Sequence, residues 1–131
     1  TVYPGVVEMV QAVRAAGCRT GLVTSKNRVG AFRGLRLAGL EDAMDIVIGA
    51  DDVSNPKPHR EPVDLAVARL GADPVTTVYV GDSVHDMHSG RSAGVRTAAV
   101  LWGPFGRPDL EPADPDHWLH HPHELLTLLD T

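Results

Sequence analysis

Two aspartates that stand four residues apart are the first candidates for chemistry in this sequence. Asp82 and Asp86 follow Val78–Val80, an apolar run that predicts a buried strand, and Gly81 predicts a sharp turn after it. Gly94 predicts the end of a helix that Asp86 begins, so both carboxylates are expected at the strand's carboxyl end, where open α/β sheets bind ligands. Adjacent carboxylates repel each other, and a hard cation such as Mg²⁺ would relieve that repulsion. The structural alternative is that Asp82 turns the chain and Asp86 caps the helix.

Three more polar side chains are expected at strand ends. Thr24 and Ser25 end the first predicted strand, and their hydroxyls, with the free N–H groups of the following helix, favour an anion. Lys57 lies between Pro56 and Pro58, which reduce the backbone entropy lost when its charge is positioned. Hydroxyls, an ammonium group and metal-binding carboxylates together suit a phosphoryl group, whose transfer needs charge neutralisation and positioning. The alternatives are that Thr24 and Ser25 cap a helix and that Lys57 is a solvated loop charge.

The elements that must hold these residues alternate along the chain. Helices are predicted over 6–16, 29–38, 60–70, 86–93 and 124–129, and strands over 20–24, 45–49, 77–80, 96–101 and 118–119, with a surface loop over 102–115. Alternating strands and helices argue for an α/β fold, a parallel sheet with helices on both faces.

Composition limits the classes of function. The chain has 131 residues, 43% of them hydrophobic, which is typical of one globular domain. Its net charge of −5 and its lack of a basic run argue against nucleic-acid binding, and no apolar run is long enough to suggest a membrane span or a signal peptide. Cys18 is the one cysteine, which fits a reducing, cytoplasmic setting. Because the first residue is Thr1, we expect a further segment upstream.

Three motifs in this order resemble those of the haloacid dehalogenase-like hydrolases, particularly the phosphoglycolate phosphatase and pyrophosphatase-like branch. They are Leu22-Val23-Thr24-Ser25-Lys26 (motif II), Pro56-Lys57-Pro58 (motif III) and Val80-Gly81-Asp82-Ser83-Val84-His85-Asp86 (motif IV), with Ala93-Gly94 downstream. The resemblance implies a three-layer Rossmann-like parallel sheet. It also implies a Mg²⁺-dependent phosphatase of small phosphorylated metabolites that acts through an aspartyl-phosphate.

The resemblance also implies roles for individual residues. Thr24 would bind the transferring phosphoryl group with Ser25 beside it, and Lys57 would offset the charge of phosphate and nucleophile. Asp82 would ligate Mg²⁺ directly. Asp86 would complete or support the metal site, through water or by pairing with Lys57.

One motif of that family is missing from the sequence. Motif I, an Asp-x-Asp on the first strand that supplies the nucleophile and the general acid/base, does not occur here, and Asp114-Pro115-Asp116 is interpreted as a chance match because no apolar strand precedes it. The resemblance therefore implies that residues 1–131 are a single partial core domain, the C-terminal portion of a capped hydrolase without its motif I strand and cap. We expect such a piece to be inactive alone.

The missing strand would lie between the strands predicted over 20–24 and 77–80. Either these two strands pair directly, or another segment or chain fills the place between them, by self-association or by a complementing N-terminal segment. A vacant slot would contradict both predictions.

Two other functions fit parts of the sequence. A non-catalytic module that binds phosphate or a partner would need no motif I. A receiver-like signalling domain shares the layout but should carry its acidic acceptor site after an N-terminal strand. The histidines near the C-terminus, His117, His120, His121 and His123, are interpreted as a solvated stretch, and His85 and His88 are not interpreted as ligands. The sequence leaves substrate identity and oligomeric state open.

Overall fold

The structure is a computed structural model that describes residues 3–129. Its helices are α1 (Val6–Ala15), α2 (Arg28–Ala38), α3 (Glu61–Leu70), α4 (Val84–Ser92) and α5 (Arg107–Leu110), and its strands are β1 (Gly21–Val23), β2 (Ile46–Ile48), β3 (Val78–Gly81), β4 (Arg96–Val100) and β5 (His117–Leu119). Short 3₁₀ helices cover Glu41–Ala43, Ala50–Asp52, Pro74–Thr76, Glu111–Ala113 and Pro122–Leu128. The predicted α/β class and the alternation of strands and helices are confirmed.

The strands form two parallel sheets. One has the order β1-β2, with Leu22 opposite Val47, and the other has the order β3-β4-β5, with Tyr79 opposite Thr97. The prediction that the strands over 20–24 and 77–80 pair directly is wrong, because β1 and β3 each pair on one side with a different neighbour. The other prediction, that a segment from outside this chain fills the place, remains a prediction.

Hydrogen-bond alternation shows which backbone groups face the open edges. The N–H of Thr24 donates to Ile48 O at 3.0 Å, so the backbone of Thr24 faces β2. Because successive residues of a strand direct their backbone groups to opposite sides, the N–H and C=O of Val23 point away from β2. The N–H of Arg96 donates to Thr77 O at 3.0 Å, so Val78 likewise turns away from β4. These open edges also explain why Val78–Val80, predicted to be buried, is only half-buried.

Small apolar clusters hold helices against the sheets. Ala31 and Leu35 of α2 pack with Val47 of β2, and Val63 and Val67 of α3 pack beside Ala93 and Val95. A third cluster contains Met87, Ala99, Leu110 and Ala113. The last two residues correct the prediction of a surface loop over 102–115, because apolar contacts draw part of that Pro-rich segment into the core as α5 and a 3₁₀ turn. The C-terminal helix is 3₁₀ rather than α. Within residues 3–129 no helix has the length and apolar character needed to cross a bilayer.

Candidate active site

A buried ion pair connects the two sheets. The Lys57 ammonium lies 2.7 Å from Oδ1 of Asp86, and the two side chains are only 13% and 11% exposed. Lys57 Nζ also donates to Val23 O at 3.2 Å, the carbonyl that faces the open edge of β1. The alternative that Lys57 is a solvated loop charge is therefore wrong: its ammonium joins the end of β1 to α4.

The carboxylate of Asp86 is hydrogen-bonded at both oxygens. Oδ1 accepts from Lys57 Nζ and from the Tyr79 hydroxyl at 3.2 Å, while Oδ2 accepts from the backbone N–H groups of Asp82 and Ser83 at 3.2 and 3.3 Å. Burial alone would raise the pKa of Asp86. The charge and hydrogen bond of Lys57, with the Asp82 N–H, outweigh burial and hold this pKa below its ordinary value. The Asp86 carboxylate is thus charged, and it bonds both to the Lys57 ammonium and to the backbone of the loop after β3.

Local sequence explains how α4 begins at this loop. Ser83, not Asp86, is the N-cap: its Oγ accepts the Asp86 N–H at 3.2 Å, and Asp86, the third helical residue, reaches back to the Ser83 N–H. Gly81 serves a different purpose from the predicted turn. A Cβ built there would lie 2.5 Å from Asp86 Cβ, so glycine is needed for the close approach of that side chain.

Asp82 carries the less well compensated charge of the two aspartates. Its carboxyl is half-buried, and burial raises its pKa, as do the negative charge of Asp86 and the hydrogen bond between them. Lys57 offsets part of this effect. The β4–α5 connection also packs closely against the Asp82 side chain: a Cβ built on Gly103 would lie 3.0 Å from Asp82 Cβ.

The loop after β1 leads into α2, which starts close to the predicted place, and it excludes the alternative helix cap. Thr24 and Ser25 are not the N-cap of α2; Asn27 is, accepting the Gly30 N–H at 2.8 Å. The N–H of Arg28 donates to Asp51 Oδ1 at 3.0 Å, so the first turn is not as open to an anion as predicted. Thr24 Oγ1 accepts the Lys26 N–H at 3.1 Å, which leaves its O–H as a donor, and Ser25 is exposed.

One chain of contacts therefore runs through most of the predicted site. Val23 O, beside Thr24, bonds to Lys57; Lys57 bonds to Asp86; and Asp86 bonds to the loop of Asp82. Two contributors were missed from the sequence, Tyr79 and Gly103. A tyrosine in an otherwise aliphatic strand was the available signal for the first. The Trp102-Gly103 segment also resembles the family, but the contact of Gly103 with Asp82 is long-range and could not be predicted from the sequence.

The metal-binding capacity of the chain is partial. Among residues 3–129 no group of three or more histidine, cysteine, aspartate or glutamate side chains is arranged to hold a metal ion. Asp82 offers a hard oxygen ligand with excess negative charge, the chemistry that Mg²⁺ prefers. His85 and His88 are exposed on α4. The His121 and His123 rings stack with centroids 5.7 Å apart, outside this loop.

Comparison with known proteins decides the family. The model of the haloacid dehalogenase-like hydrolase family matches residues 1–100. The chain belongs to this family. It is 40% identical over 129 residues to the pyrophosphatase PpaX of Bacillus pumilus and 39% identical over 127 residues to that of Halalkalibacterium halodurans, covering 98% and 97% of this chain. It spans only 60% and 59% of those proteins, so about two-fifths of their length has no counterpart here.

Solved structures of the family share the fold. A HAD phosphatase from Thermococcus onnurineus superposes with a TM-score of 0.84 at 30% identity, over 98% of this chain and 58% of the other. A putative phosphoglycolate phosphatase from Lactobacillus plantarum gives 0.88 at 27% identity, over 98% and 60%. The haloacid dehalogenase-like fold, with its Rossmann-like parallel strands, is thereby confirmed for this chain.

Proposed function

We propose that the protein to which this chain contributes is a Mg²⁺-dependent phosphatase of small phosphorylated metabolites. It forms an aspartyl-phosphate on a nucleophile that a segment outside these residues supplies. The observation that carries the proposal is the buried Lys57–Asp86 pair, which lies between the open edge of β1 and the Asp82 loop. A cation held there serves an anionic substrate, because desolvated charge interactions are strong.

The hydrogen bonds of Lys57 leave it able to act on a phosphoryl group. An ammonium has three donors, and two of them are used, by Val23 O and Asp86 Oδ1. The third can reach a phosphoryl or carboxylate oxygen. Thr24, next to Val23, adds a hydroxyl donor, and Ser25 adds an exposed one. We assign these three residues to phosphate binding, with Lys57 also neutralising charge during transfer.

We assign different roles in binding Mg²⁺ to Asp82 and Asp86. We assign direct ligation of Mg²⁺ to Asp82: burial and the neighbouring charge of Asp86 raise the pKa of its carboxyl, and a bound cation would relieve both effects. Asp86 supports the metal site indirectly, since all of its oxygens already accept hydrogen bonds and one of them holds Lys57. Bound Mg²⁺ would supply charge stabilisation for the phosphoryl oxygens. The remaining ligands would come from the same outside segment as the nucleophile.

We place that segment against the open edges of β1 and β3. The carboxyl ends of these strands carry Thr24 and Asp82, so a strand added in parallel would end beside both. Substrate choice would also lie with parts outside this chain. The names of the relatives suggest pyrophosphate and phosphoglycolate as first substrates to test. We place the protein in the cytoplasm, in keeping with its single cysteine, Cys18.

Phosphate release tests the proposal. The 131-residue chain and the product of the complete coding sequence should be compared on pyrophosphate, phosphoglycolate and a panel of sugar phosphates, with Mg²⁺ and with EDTA. We expect no turnover by the chain alone and Mg²⁺-dependent turnover by the complete product, lost in Asp82→Asn and Lys57→Ala. Turnover by the chain alone that Asp82→Ala abolishes would overturn the requirement for an outside nucleophile.

A non-catalytic module that binds phosphate or a partner is the second candidate. It is favoured by the lack of an Asp-x-Asp strand in the sequence. A complete product that binds phosphate, that has no Asp-x-Asp and that shows no turnover would support this module and reject the phosphatase.

A further inference from the structure

We propose that Tyr79 is a positioning residue for the Lys57 ammonium. It acts on both members of the ion pair: its hydroxyl donates to Asp86 Oδ1 at 3.2 Å, and its ring lies 5.7 Å from Lys57 Nζ. The same carboxylate oxygen accepts from Lys57, so the phenol and the ammonium share one acceptor. Two contacts from one side chain therefore restrict where the ammonium can lie.

The fold holds the Tyr79 ring from behind. A Cβ built on Gly90 of α4 would lie 3.0 Å from Tyr79 Cδ2 and 2.9 Å from Thr97 Cγ2. Glycine at this position lets α4 come close to the sheet, and the ring is left little freedom to retreat. The hydroxyl is thus presented to Asp86 by close packing as well as by hydrogen bonding.

The hydrogen bond and the ring face have different effects on Lys57. The Tyr79 hydroxyl keeps Asp86 Oδ1 in place. It also competes with the Lys57 ammonium for this oxygen, so the bond from Lys57 to Oδ1 is weaker than it would be without the hydroxyl. The ring face attracts the ammonium through its quadrupole. Without the hydroxyl, Asp86 should rotate toward the ammonium, and Lys57 should move away from Val23 O.

Lysine NMR can detect this directly in the chain, because Lys26 and Lys57 are its two lysines and Tyr3 and Tyr79 its two tyrosines. With ¹⁵N-lysine labelling, a Lys57 ammonium held by two acceptors should give a slowly exchanging signal, and exposed Lys26 should not. Tyr79→Phe keeps the ring and removes the hydroxyl; we expect it to shift the Lys57 signal and to speed its exchange severalfold. Tyr3→Phe is the matched control and should leave the signal in place.

The result that overturns the proposal is equally clear. A Tyr79→Phe spectrum that overlays that of the unaltered chain would reject it, as would an unaltered chain with no slowly exchanging ammonium signal. If Tyr79→Phe fails to fold, the unaltered chain still provides a test. Contacts between the Lys57 Hε protons and the Tyr79 ring must appear as nuclear Overhauser effects, and their absence would also reject the proposal.

The catalytic consequence rests on the proposed phosphatase function. In the complete product, Tyr79→Phe should lower kcat about fivefold, the size of effect expected when one hydrogen bond is lost, and should leave KM within about twofold. Tyr3→Phe should change neither. A complete product without phosphatase activity would reject the proposed function while the NMR result stands. Activity that Tyr79→Phe leaves unchanged would reject the catalytic consequence alone.

Discussion

Lys57 and Asp86 form an ion pair at 2.7 Å that joins the carboxyl end of β1 to the first turn of α4. The two residues are 29 positions apart in sequence and come from different loops. Because β1 and β3 share no backbone hydrogen bonds, this pair links the end of one sheet to the loop that follows β3 of the other through side chains. It therefore has a structural role in the chain as well as the proposed catalytic one.

Removing the charge of Asp86 should destabilise the chain strongly. Asp86→Asn leaves the Lys57 ammonium, 13% exposed, without its counter-charge, and an unpaired buried charge costs about 3–5 kcal/mol. Urea unfolding measures the free energy of unfolding. The control is Asp64→Asn, which breaks a pair with Arg60 whose side chains are 41% and 55% exposed; it should change stability by about 0.5 kcal/mol or less. Equal losses in both variants would contradict this prediction.

The destabilisation by Asp86→Asn should also depend on pH. The pKa of Asp86 is held below its ordinary value of 3.8, so the folded chain binds fewer protons than the unfolded chain between the two values. The stabilising contribution of Asp86 is therefore complete above about pH 4 and is lost as pH falls through the lowered folded pKa. The free energies of unfolding of the unaltered chain and of Asp86→Asn should therefore converge in acid. A difference between them that stays constant below pH 4 would contradict this prediction.

The contribution of Asp82 to the pH dependence of stability should have the opposite sign to that of Asp86. Its pKa is raised above 3.8 in the folded chain, so from about pH 4 upward the unfolded chain releases this proton more readily and stability is lost. We expect Asp82→Asn to raise the melting temperature of the metal-free chain at pH 7 by about 2–4 °C, with no gain at pH 3. Asp42→Asn, at an exposed aspartate, is the control for simple charge removal. A lower melting temperature for Asp82→Asn at pH 7 would disprove the prediction.

Much of the fold was predictable because its signals are local. Apolar runs placed β1 to β5, and Gly39 and Gly71 marked the ends of α2 and α3, where both adopt the left-handed conformation. The buried α5 region was mispredicted because Pro and Gly indicate irregular backbone whether or not neighbouring side chains, here Leu110 and Ala113, enter a core.

The site was predictable at the level of residue types, and one of its contacts, the pairing of Asp86 with Lys57, was among the alternatives that the family resemblance implied. Order along the chain placed Lys57 and Asp82 at strand ends, but periodicity could not choose between a direct Lys57–Asp86 pair, which the structure has, and a link through water. The Ser83 N-cap follows from the local Ser-x-x-Asp spacing, whereas the role of Gly81 as a packing residue depends on the position of the Asp86 side chain, which only the folded loop defines. The separation of β1 from β3 likewise follows from hydrogen-bond partners that no local pattern encodes.

Gly103 should be required for the proposed metal site. An alanine methyl there would lie 3.0 Å from Asp82 Cβ and would displace that side chain, although the backbone of residue 103 itself tolerates alanine. In the complete product we expect Gly103→Ala to lower kcat/KM about tenfold and to raise the Mg²⁺ concentration needed for half-maximal activity. Gly106→Ala is the matched control in the same loop, since its Cβ would meet nothing closer than Pro108 Cδ at 3.7 Å. Identical kinetics in the two variants would argue against a role for Gly103.

The open edge of β3 should mediate association of the isolated chain. The Val78 N–H faces this edge, and unpaired strand edges recruit other strands. Val78→Pro removes that donor and keeps the Arg96–Thr77 bond, and Thr77 already has the extended conformation (φ −104°, ψ 139°) that a following proline requires.

Sedimentation equilibrium should show concentration-dependent dimers of the unaltered chain, weakened about fivefold in Val78→Pro. Val78→Ala, which loses similar side-chain packing but keeps the N–H, should dimerise as the unaltered chain does. A chain that stays monomeric at high concentration, or dimers that Val78→Pro leaves intact, would show that this edge does not mediate association.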